Sequence, residues 1–318
     1  MTASASGGND SLTDGVCNGA GDGVSDEGSG SGAVGAQGAG RFAGLPAAFQ
    51  RHVLDWALTN LRDLPWRHTV DPYAILVSEV MLQQTQVPRV IPRYLAFTAR
   101  FSTVAALAEA PLPEVLAEWS GLGYNSRAVR LRRAAQAVVE HHQGALPLDL
   151  DALLSLPGVG AYTARAVLVF ATNADLAAVD TNVRRVLVHE LGLRADVSPA
   201  SLQAVAEAVL PRGRSRLWHH ALMDYGSAVV TAKVARAAGA RGPRRQGAFA
   251  GSLRQARGRV VRRLLADGGF PGSPWRSPAW LAREVGLPAD LVAEALAGLV
   301  ADGVLVRDAD GRNALAGG

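Results

Sequence analysis

Helical spacing of apolar residues runs through the chain from Leu45 onward, and this pattern restricts the possible fold more than any other feature of the sequence. Apolar side chains recur three and four residues apart, which places them on one face of a helix. Proline and glycine interrupt the pattern, and no alternating strand-like run stands out before the C-terminal end. The segments with helical spacing are 47–61, 73–84, 112–119, 127–142 and 202–209. The sequence therefore predicts an all-α body.

The first part of the chain has a different composition. Residues 1–44 are mostly Gly, Ser, Ala, Asp and Asn, with hardly a large apolar side chain. Such a segment cannot bury enough apolar surface to offset the entropy that it would lose on ordering. We therefore predict a disordered tail over residues 1–44 and a helical domain over residues 45–236.

A second change of composition occurs at residues 237–251, which are rich in Arg, Gly and Pro and are typical of a linker. The spacing beyond it indicates short elements of both kinds. The predicted elements are helices at 253–265, 281–285 and 290–299, then a hairpin of 304–306 and 314–315 around a turn at 308–311. Three helices followed by a hairpin favour a small winged-helix-like module over residues 252–318.

The basic residues are almost all arginine, and Lys233 is the only lysine in 318 residues. The formal net charge is +4. Because the guanidinium group is a planar fork that grips phosphate, this balance is compatible with nucleic acid as a partner. A GC-rich genome would also produce many Arg and Ala codons, so composition alone does not decide between the two explanations.

Cys17 is the only cysteine of the chain. A single cysteine excludes an intramolecular disulfide and any site that several cysteines of one chain would ligate. No stretch reaches the roughly 18 consecutive apolar residues of a membrane span, and the N-terminus lacks the pattern of a signal peptide. We therefore expect a cytoplasmic protein that makes no membrane contact.

Glu79 lies in the middle of a strongly apolar helical segment. The segment has a favourable helix N-terminus, because Asp71 can cap it and Pro72 fits its first turn. Apolar residues cover almost every side of this segment, which predicts burial. A carboxyl group in a desolvated setting has a raised pKa and can act as a general acid near neutral pH. A buried glutamate that is merely satisfied by a hydrogen bond would have the same pattern.

The string Leu156-Pro-Gly-Val-Gly160 separates two helical segments. Glycines let the backbone approach a ligand closely, and the following helix presents free N–H groups together with the positive end of its dipole. These groups can hold a DNA phosphate without reading sequence. The alternative is a plain turn between two antiparallel helices.

Two further stretches have a structural and a functional interpretation. Asp180 directly precedes a helical run, so a helix cap is its obvious role. Leu122 and Tyr124 stand on a glycine-flanked loop before a helix, where an exposed apolar residue could enter a base stack. Ordinary packing of these loop residues onto the core would explain them as well.

The histidine pairs do not suggest a metal site. His141-His142 and His219-His220 are adjacent in sequence and point to different sides of a helix, whereas zinc ligands on a helix are three or four residues apart. We interpret all four as surface or core histidines, and we predict no metal site in the chain.

These stretches together resemble the adenine DNA glycosylases of the MutY type, within the helix-hairpin-helix DNA glycosylase superfamily. The resemblance runs in order over nearly all of residues 46–230. Ser78-Glu79-Val-Met-Leu-Gln-Gln-Thr85 is similar to the family's catalytic helix, Leu156-Pro-Gly-Val-Gly160 to its helix-hairpin-helix, and Val179-Asp180 with Asn182 to its catalytic aspartate turn. It implies a two-lobed all-α fold.

The resemblance also implies roles in the reaction. Glu79 would protonate the leaving adenine and then help to activate water, and Asp180 would stabilise the sugar cation or bond to it transiently, as paired carboxylates do on ordinary glycosides. Tyr162, Asn182 and Arg67 would line the pocket around the base that is flipped out of the duplex.

The implied DNA contacts lie outside this pocket. Gln84, Leu122 and Tyr124 would fill or probe the gap that the flipped base leaves in the duplex. The hairpin residues Pro157, Gly158, Val159 and Gly160 would hold a phosphate through backbone amides. The implied partner is double-stranded DNA with a mismatched or oxidised base pair, bound by a monomer at the bacterial nucleoid.

Position 162 bears on the reaction class. In the related endonuclease III group a lysine stands there and cuts the backbone through a Schiff base, whereas this chain has Tyr162 and its one lysine is Lys233. Without an amine nucleophile in the site, lyase activity is expected to be absent or weak. The resemblance therefore implies a monofunctional glycosylase.

The chain departs from the family at two places. Most members carry four cysteines for an iron–sulfur cluster, and the matching positions here are Val230, Ala237, Ala240 and Gln246. We therefore expect a clusterless variant without a cofactor, in which residues 237–251 replace the cluster loop. Residues 252–318 also do not resemble the β-rich domain with which many members check 8-oxoguanine.

Two other functions stay open at this point. One is a mismatch glycosylase of the same superfamily that removes thymine or uracil opposite guanine. The other is a DNA-binding protein that has lost activity, and the presence of both Glu79 and Asp180 weighs against it.

Overall fold

The computed structural model describes residues 41–237, 247–267 and 274–317, and within these ranges the protein is almost entirely helical. Fifteen α-helices lie in the described ranges: α1 Pro46–Asn60, α2 Pro72–Leu82, α3 Val87–Arg100, α4 Val104–Glu109, α5 Leu112–Glu118, α6 Ser126–His141, α7 Leu150–Ser155, α8 Ala161–Thr172, α9 Thr181–Glu190, α10 Pro199–Ala208, α11 Ser215–Ala228, α12 Ala232–Ala237, α13 Leu253–Ala266, α14 Pro278–Val285 and α15 Ala289–Ala301. Strands β1 Leu305–Arg307 and β2 Asn313–Leu315 form an antiparallel hairpin. The predicted all-α class is confirmed.

Two hydrophobic cores divide the helices into two lobes. The first core is built mainly from α2 to α8 and includes Phe97, Trp119 and Leu153, all of which are fully buried. The second core is built from α1 and α9 to α11 around Phe49 and Trp218. The chain thus starts in the second lobe, crosses to the first and returns at α9, which gives the predicted two-lobed arrangement.

The beginning of the described chain differs from its prediction. Of the predicted disordered tail 1–44, residues 1–40 lie outside the described residues. Residues 41–44 form a turn, and Phe42 packs against Phe49 with ring centroids 5.9 Å apart. The amide of Phe42 also donates to the carbonyl of Glu190. The prediction of disorder was wrong for these residues, because one aromatic side chain is enough to anchor the segment on the second core.

Local sequence signals explain where the helices of the site begin. The carboxylate of Asp71 accepts from the amides of Tyr73 and Ala74 at the start of α2, and Pro72 occupies its first turn. Asp180 accepts from the amide of Val183 at the start of α9. Both caps were predicted, and both satisfy amides that have no partner inside their helix.

The C-terminal elements agree with the predicted order of three helices and a hairpin. The first strand starts one residue later than predicted and the second one residue earlier, and in the hairpin Leu305 pairs with Leu315 and Arg307 with Asn313. Residues 238–246 of the predicted linker lie outside the described residues. Val260, Leu264 and Leu305 belong to the same continuous core as the first lobe, so this module packs directly on that lobe.

Among the helices of the described ranges, none has the length and apolar composition that crossing a membrane requires.

Candidate active site

A cavity of about 290 Å³ lies where the two lobes meet. Helices α2 and α8 contribute to it from the first lobe, and the start of α9 with part of α11 contributes from the second. Its lining residues are Arg62, Leu64, Trp66, Arg67, Ile75, Ser78, Glu79, Leu82, Gln83, Gln84, Thr85, Val87, Tyr162, Phe170, Asp180, Thr181, Asn182, His220 and Met223. The structure therefore brings together the five residues that the sequence predicted for catalysis and for the base pocket.

Glu79 is buried in α2, with 6% of its surface exposed. The pKa of Glu79 is raised to about 7, chiefly by burial and in smaller part by the negative charge of nearby Asp180, while a hydrogen bond from the Tyr162 hydroxyl opposes the rise. A carboxyl group with this pKa holds its proton in part of the molecules at neutral pH, which a general acid requires.

Asp180 combines a structural role with a place in the cavity. One oxygen accepts from the Val183 amide at 2.7 Å, which is the predicted cap, and the other accepts from Asn182 Nδ2 at 2.8 Å. Burial raises the pKa of Asp180 above its ordinary value, and these two hydrogen bonds counter the effect by favouring the ionised form. The cap thus fixes the carboxylate at the edge of the cavity.

The side chain of Asn182 is positioned by a hydrogen bond from Arg185. The Arg185 guanidinium donates to Asn182 Oδ1 at 2.8 Å and also to the carbonyls of Gly226 and Val230. Helices α9 and α11 are in close contact here, since a Cβ on Gly226 would lie 3.0 Å from Asn182 Cβ. A chain of hydrogen bonds therefore runs from the end of α11 to the Asp180 carboxylate.

Two arginines that line the cavity, Arg62 and Arg67, form ion pairs with Asp224 behind them. Arg67 donates to both oxygens of Asp224, at 2.7 and 3.0 Å, and Arg62 donates through both its backbone amide and its guanidinium. Burial alone would raise the pKa of Asp224, but these hydrogen bonds outweigh it and hold the pKa below its ordinary value. Arg67 thus lines the cavity as predicted, with its charge already paired.

Sequence reasoning missed Arg62, Trp66 and His220 as residues of the cavity wall. It also missed Asp224, the carboxylate that pairs with two arginines of this wall. Asp224 had a usable signal, because it is a carboxylate in the apolar helix α11, the same pattern that singled out Glu79. Arg62 and Trp66 lie before α2, where nothing in the local pattern points to the cavity. Arg62 is positioned by its hydrogen bonds to Asp224, 162 positions later in the chain, whereas Trp66 packs edge-to-face on the ring of Tyr94.

The histidines are placed in different ways. His219 is a core residue whose ring accepts from the Ala178 amide at 2.9 Å and contacts the carbonyl of Ser215, as the core interpretation predicts. His220 departs from the prediction because it lines the cavity and stacks on Phe170 with ring centroids 4.7 Å apart. Burial and the charge of nearby Arg67 lower the pKa of His220 to about 3, so its ring is neutral at physiological pH.

The Pro-Gly-Val-Gly hairpin joins α7 to α8 outside the cavity. Gly158 has a φ of +80°, and a Cβ there would lie 2.7 Å from Arg130 Cβ, so only glycine fits without a shift. Gly160 is exposed and precedes α8 without a side-chain cap. Val159 is buried and fixes the hairpin on the first core. The N-terminus of α8, next to this exposed glycine, therefore has amides that no side chain caps.

The loop before α6 differs from its prediction. Leu122 is 4% exposed and belongs to the first core, so the expectation of an exposed leucine was wrong for the unbound chain. The glycines on either side, with φ of +94° and +75°, turn the backbone so that this side chain points inward. Tyr124 is 38% exposed, as predicted, and Gln84 is exposed at the end of α2.

The residues present do not fit an iron–sulfur cluster. Such a cluster needs several cysteine thiolates, and the chain has one cysteine, Cys17, which lies outside the described residues. Val230, at the first matching position, is packed in the second core with 1% exposure. Ala237 ends α12, and Ala240 and Gln246 lie outside the described residues. In the described ranges, no group of three or more His, Cys, Asp or Glu side chains is placed to hold a metal ion.

Comparison with known proteins agrees with this geometry. The profile of the family described as "HhH-GPD superfamily base excision DNA repair protein" matches residues 77–212. An adenine DNA glycosylase of Mycolicibacterium smegmatis is 40% identical over 285 residues, which cover 83% of this chain and 95% of that protein.

Two solved structures have a similar fold. A thermostable thymine-DNA glycosylase is 31% identical with a TM-score of 0.55, covering 59% of this chain and 88% of that one. An endonuclease III trapped as a covalent intermediate with DNA is 25% identical with a TM-score of 0.52, covering 59% of this chain and 89% of that one. The chain therefore belongs to the adenine DNA glycosylases, a family of the helix-hairpin-helix superfamily of base excision repair proteins.

Proposed function

We propose that this chain hydrolyses the N-glycosidic bond of adenine mispaired with 8-oxoguanine or guanine and leaves the DNA strand uncut. The observation that carries the proposal is the pair of carboxyl groups, Glu79 and Asp180, on two different lobes in one cavity. Their environments differ, and such a difference separates the roles of an acid and a charge stabiliser.

In this mechanism the protonated Glu79 donates its proton to a ring nitrogen of the flipped adenine, so that the base leaves as a neutral molecule. Positive charge then develops on the sugar, where the Asp180 carboxylate stabilises it. Glu79, now ionised, accepts a proton from the attacking water. The Tyr162 hydroxyl holds the Glu79 carboxyl in place between these two steps.

The cavity wall supports the choice of a purine base. Trp66 and the stacked pair of Phe170 and His220 offer aromatic surface, and the cluster of Arg62, Arg67 and Asp224 offers both hydrogen-bond donors and acceptors. A volume of about 290 Å³ is small for a ligand pocket and suits one base with its sugar.

The absence of strand cleavage follows from the nucleophiles available. Tyr162 occupies the position at which the lyases of the superfamily have lysine, and burial together with Glu79 raises the pKa of its phenol well above the ordinary value. Lys233, the one lysine, lies on α12 and does not line the cavity. No amine is therefore available at the site to form a Schiff base.

The DNA contacts in this proposal are the predicted ones. Amides at the hairpin of Pro157, Gly158, Val159 and Gly160 hold a phosphate. Gln84 and Tyr124 enter the duplex beside the flipped base, and Leu122 joins them only if the loop turns outward on binding. The chain acts as a monomer on duplex DNA, at the nucleoid of a bacterial cell, and carries no iron–sulfur cluster.

The test measures the release of adenine under single-turnover conditions from a duplex with A opposite 8-oxoguanine. Duplexes with A opposite G and with T opposite G are assayed in parallel. Glu79→Gln should abolish release, whereas Glu109→Gln, a matched change at the exposed end of α4, should leave it intact. Hot alkali should be needed to cleave the product strand. Release of thymine alone would select the mismatch alternative that the thymine-DNA glycosylase likeness raises, and binding without release would select a non-catalytic protein.

The proposed lack of an iron–sulfur cluster is tested by a separate measurement. Iron analysis of the purified chain should find no stoichiometric iron, and four irons per chain would refute this part of the proposal.

A further inference from the structure

Arg127, at the start of α6, is a buried arginine with an unusual set of partners. It is 6% exposed, and in the described ranges no carboxylate lies within ion-pair distance of it. Burial lowers the pKa of its guanidinium to about 10, so the group stays charged at neutral pH. A buried charge without a counterion needs several acceptors in good geometry.

Those acceptors come from two separate segments. The guanidinium donates to the carbonyls of Val80, Met81 and Gln83 at 2.8, 2.9 and 2.7 Å, and to Thr85 Oγ1, Leu122 O and Gly123 O at 3.1, 3.2 and 3.1 Å. The first four belong to the end of α2 and the turn after it, and the last two to the loop before α6. One side chain therefore joins both segments.

The same two segments contain strained backbone. Gln84 has a φ of +54° and Tyr124 a φ of +47°, a conformation that non-glycine side chains rarely adopt. Partners of Arg127 flank both positions: Gln83 and Thr85 enclose Gln84, and Gly123 precedes Tyr124. The guanidinium also lies over the rings of Trp119 and Tyr124, 5.3 and 5.6 Å from their centroids.

Strain of this kind persists only where surrounding contacts fix it. It occurs here at Gln84 and Tyr124, the two exposed residues that the proposed function assigns to the duplex. We propose that Arg127 is a positioning residue that sets Gln84 and Tyr124 as one rigid unit for extruding the target base. The inference rests on the proposed function, because it takes base extrusion as the step that this unit assists.

The proposal separates extrusion from ordinary DNA binding. The six hydrogen bonds of the Arg127 guanidinium go to residues 80–85 and 122–123, and none of them goes to the hairpin at residues 157–160. We therefore expect the affinity for undamaged duplex to depend little on Arg127. Extrusion should depend on it strongly, since a lysine has three donors on a single nitrogen and cannot reach six acceptors in two segments.

The experiment uses Arg127→Lys in the full chain, with Arg132→Lys as the matched control. Arg132 lies on the same helix and donates to one carbonyl, that of Ala110, at 2.6 Å. Extrusion is measured as the fluorescence gain of 2-aminopurine placed at the target position opposite 8-oxoguanine, in a Glu79→Gln background that prevents excision. Affinity for an undamaged duplex is measured in parallel.

With Arg127→Lys we expect the extruded fraction to fall about tenfold, since strained torsions carry enough free energy to shift an equilibrium by that order. Affinity for undamaged duplex should stay within about twofold, and Arg132→Lys should match the parent. Unchanged extrusion in Arg127→Lys would overturn the proposal. So would an equal loss of extrusion and of affinity for undamaged duplex, because that result indicates a general structural defect.

A second variant guards against poor folding of Arg127→Lys. Thr85→Val removes one of the six acceptors and leaves Arg127 in place, and Thr98→Val, which removes a bond within α3, is its control. In Thr85→Val, amide hydrogen exchange should quicken together in residues 82–86 and 120–125. Faster exchange in residues 82–86 alone would contradict the idea of one unit. If the parent chain itself extrudes no base, the proposed function fails first, and the two failures are thus distinguishable.

Discussion

Glu79 is the residue that we propose as the general acid, and its environment controls its protonation. Its pKa of about 7 follows chiefly from burial in α2. Because the acid works in its protonated form, the single-turnover rate of base release should be level well below pH 7. It should fall about tenfold per pH unit well above that value. A pH–rate profile under single-turnover conditions measures this directly, and a rate that stays constant from pH 6 to 9 would exclude Glu79 as the acid.

The same burial affects stability. The folded chain holds the Glu79 proton more tightly than the unfolded chain, so the residue lowers the free energy of unfolding progressively as the pH rises from about 4.5 to about 7. The effect is absent well below pH 4.5 and complete above about pH 7. The full difference corresponds to about 3 kcal/mol. Glu79→Gln should therefore raise the unfolding midpoint at pH 8 much more than at pH 4.5.

Urea unfolding at the two pH values tests this expectation, with Glu109→Gln as the exposed control. Equal effects of Glu79→Gln at both pH values would show that burial does not shift the proton affinity of this group in the folded chain.

The two glycines of the hairpin between α7 and α8 differ in how much space surrounds them. A Cβ on Gly158 meets Arg130 Cβ at 2.7 Å in a left-handed backbone, whereas a Cβ on Gly160 meets nothing within 4 Å. Gly158→Ala should therefore lower the free energy of unfolding by about 1–3 kcal/mol, and Gly160→Ala should leave it nearly unchanged. Urea unfolding compares the two variants, and equal losses would contradict the close packing.

Sequence signals predicted the elements well where their cause is local. Helix spacing, the Asp71 and Asp180 caps and the glycine hairpin all depend on a few neighbouring residues, and each is found where it was predicted. The burial of Leu122 was not predictable in this way, because it depends on how the whole loop packs on the first lobe. The pocket wall was missed for the same reason, since Arg62 and Asp224 meet across 162 positions of the chain.

At the scale of the whole molecule, the C-terminal module packs against the first lobe and shares its hydrophobic core. Several of its arginines form ion pairs within the module, as in the contacts of Arg257 with Asp302 and of Arg263 with Asp267. Helix α15, the third helix of the module, has the acidic residue Asp290 in its first turn and no basic residue. A helix of this charge is unsuited to the DNA groove, where winged-helix proteins place their recognition helix.

Because the module and the first lobe share one hydrophobic core, a cavity made in the module should destabilise both. Leu264 on α13 is fully buried in the core that continues into the first lobe, whereas Val306 on β1 is 40% exposed. Leu264→Ala should cost about 2–5 kcal/mol of global stability, and Val306→Ala much less. Hydrogen exchange should show faster opening of α6 as well as α13 in Leu264→Ala. Opening confined to the module would show that it folds independently.

The two carboxyl groups of the proposed site lie on different lobes, Glu79 on α2 of the first and Asp180 at the start of α9 of the second. Under the proposed function, a chain in which either lobe has unfolded presents at most one of the two groups to a nucleotide. We therefore expect base removal to be lost as soon as one lobe opens, so that a damaged copy of the enzyme is inactive on DNA rather than unselective.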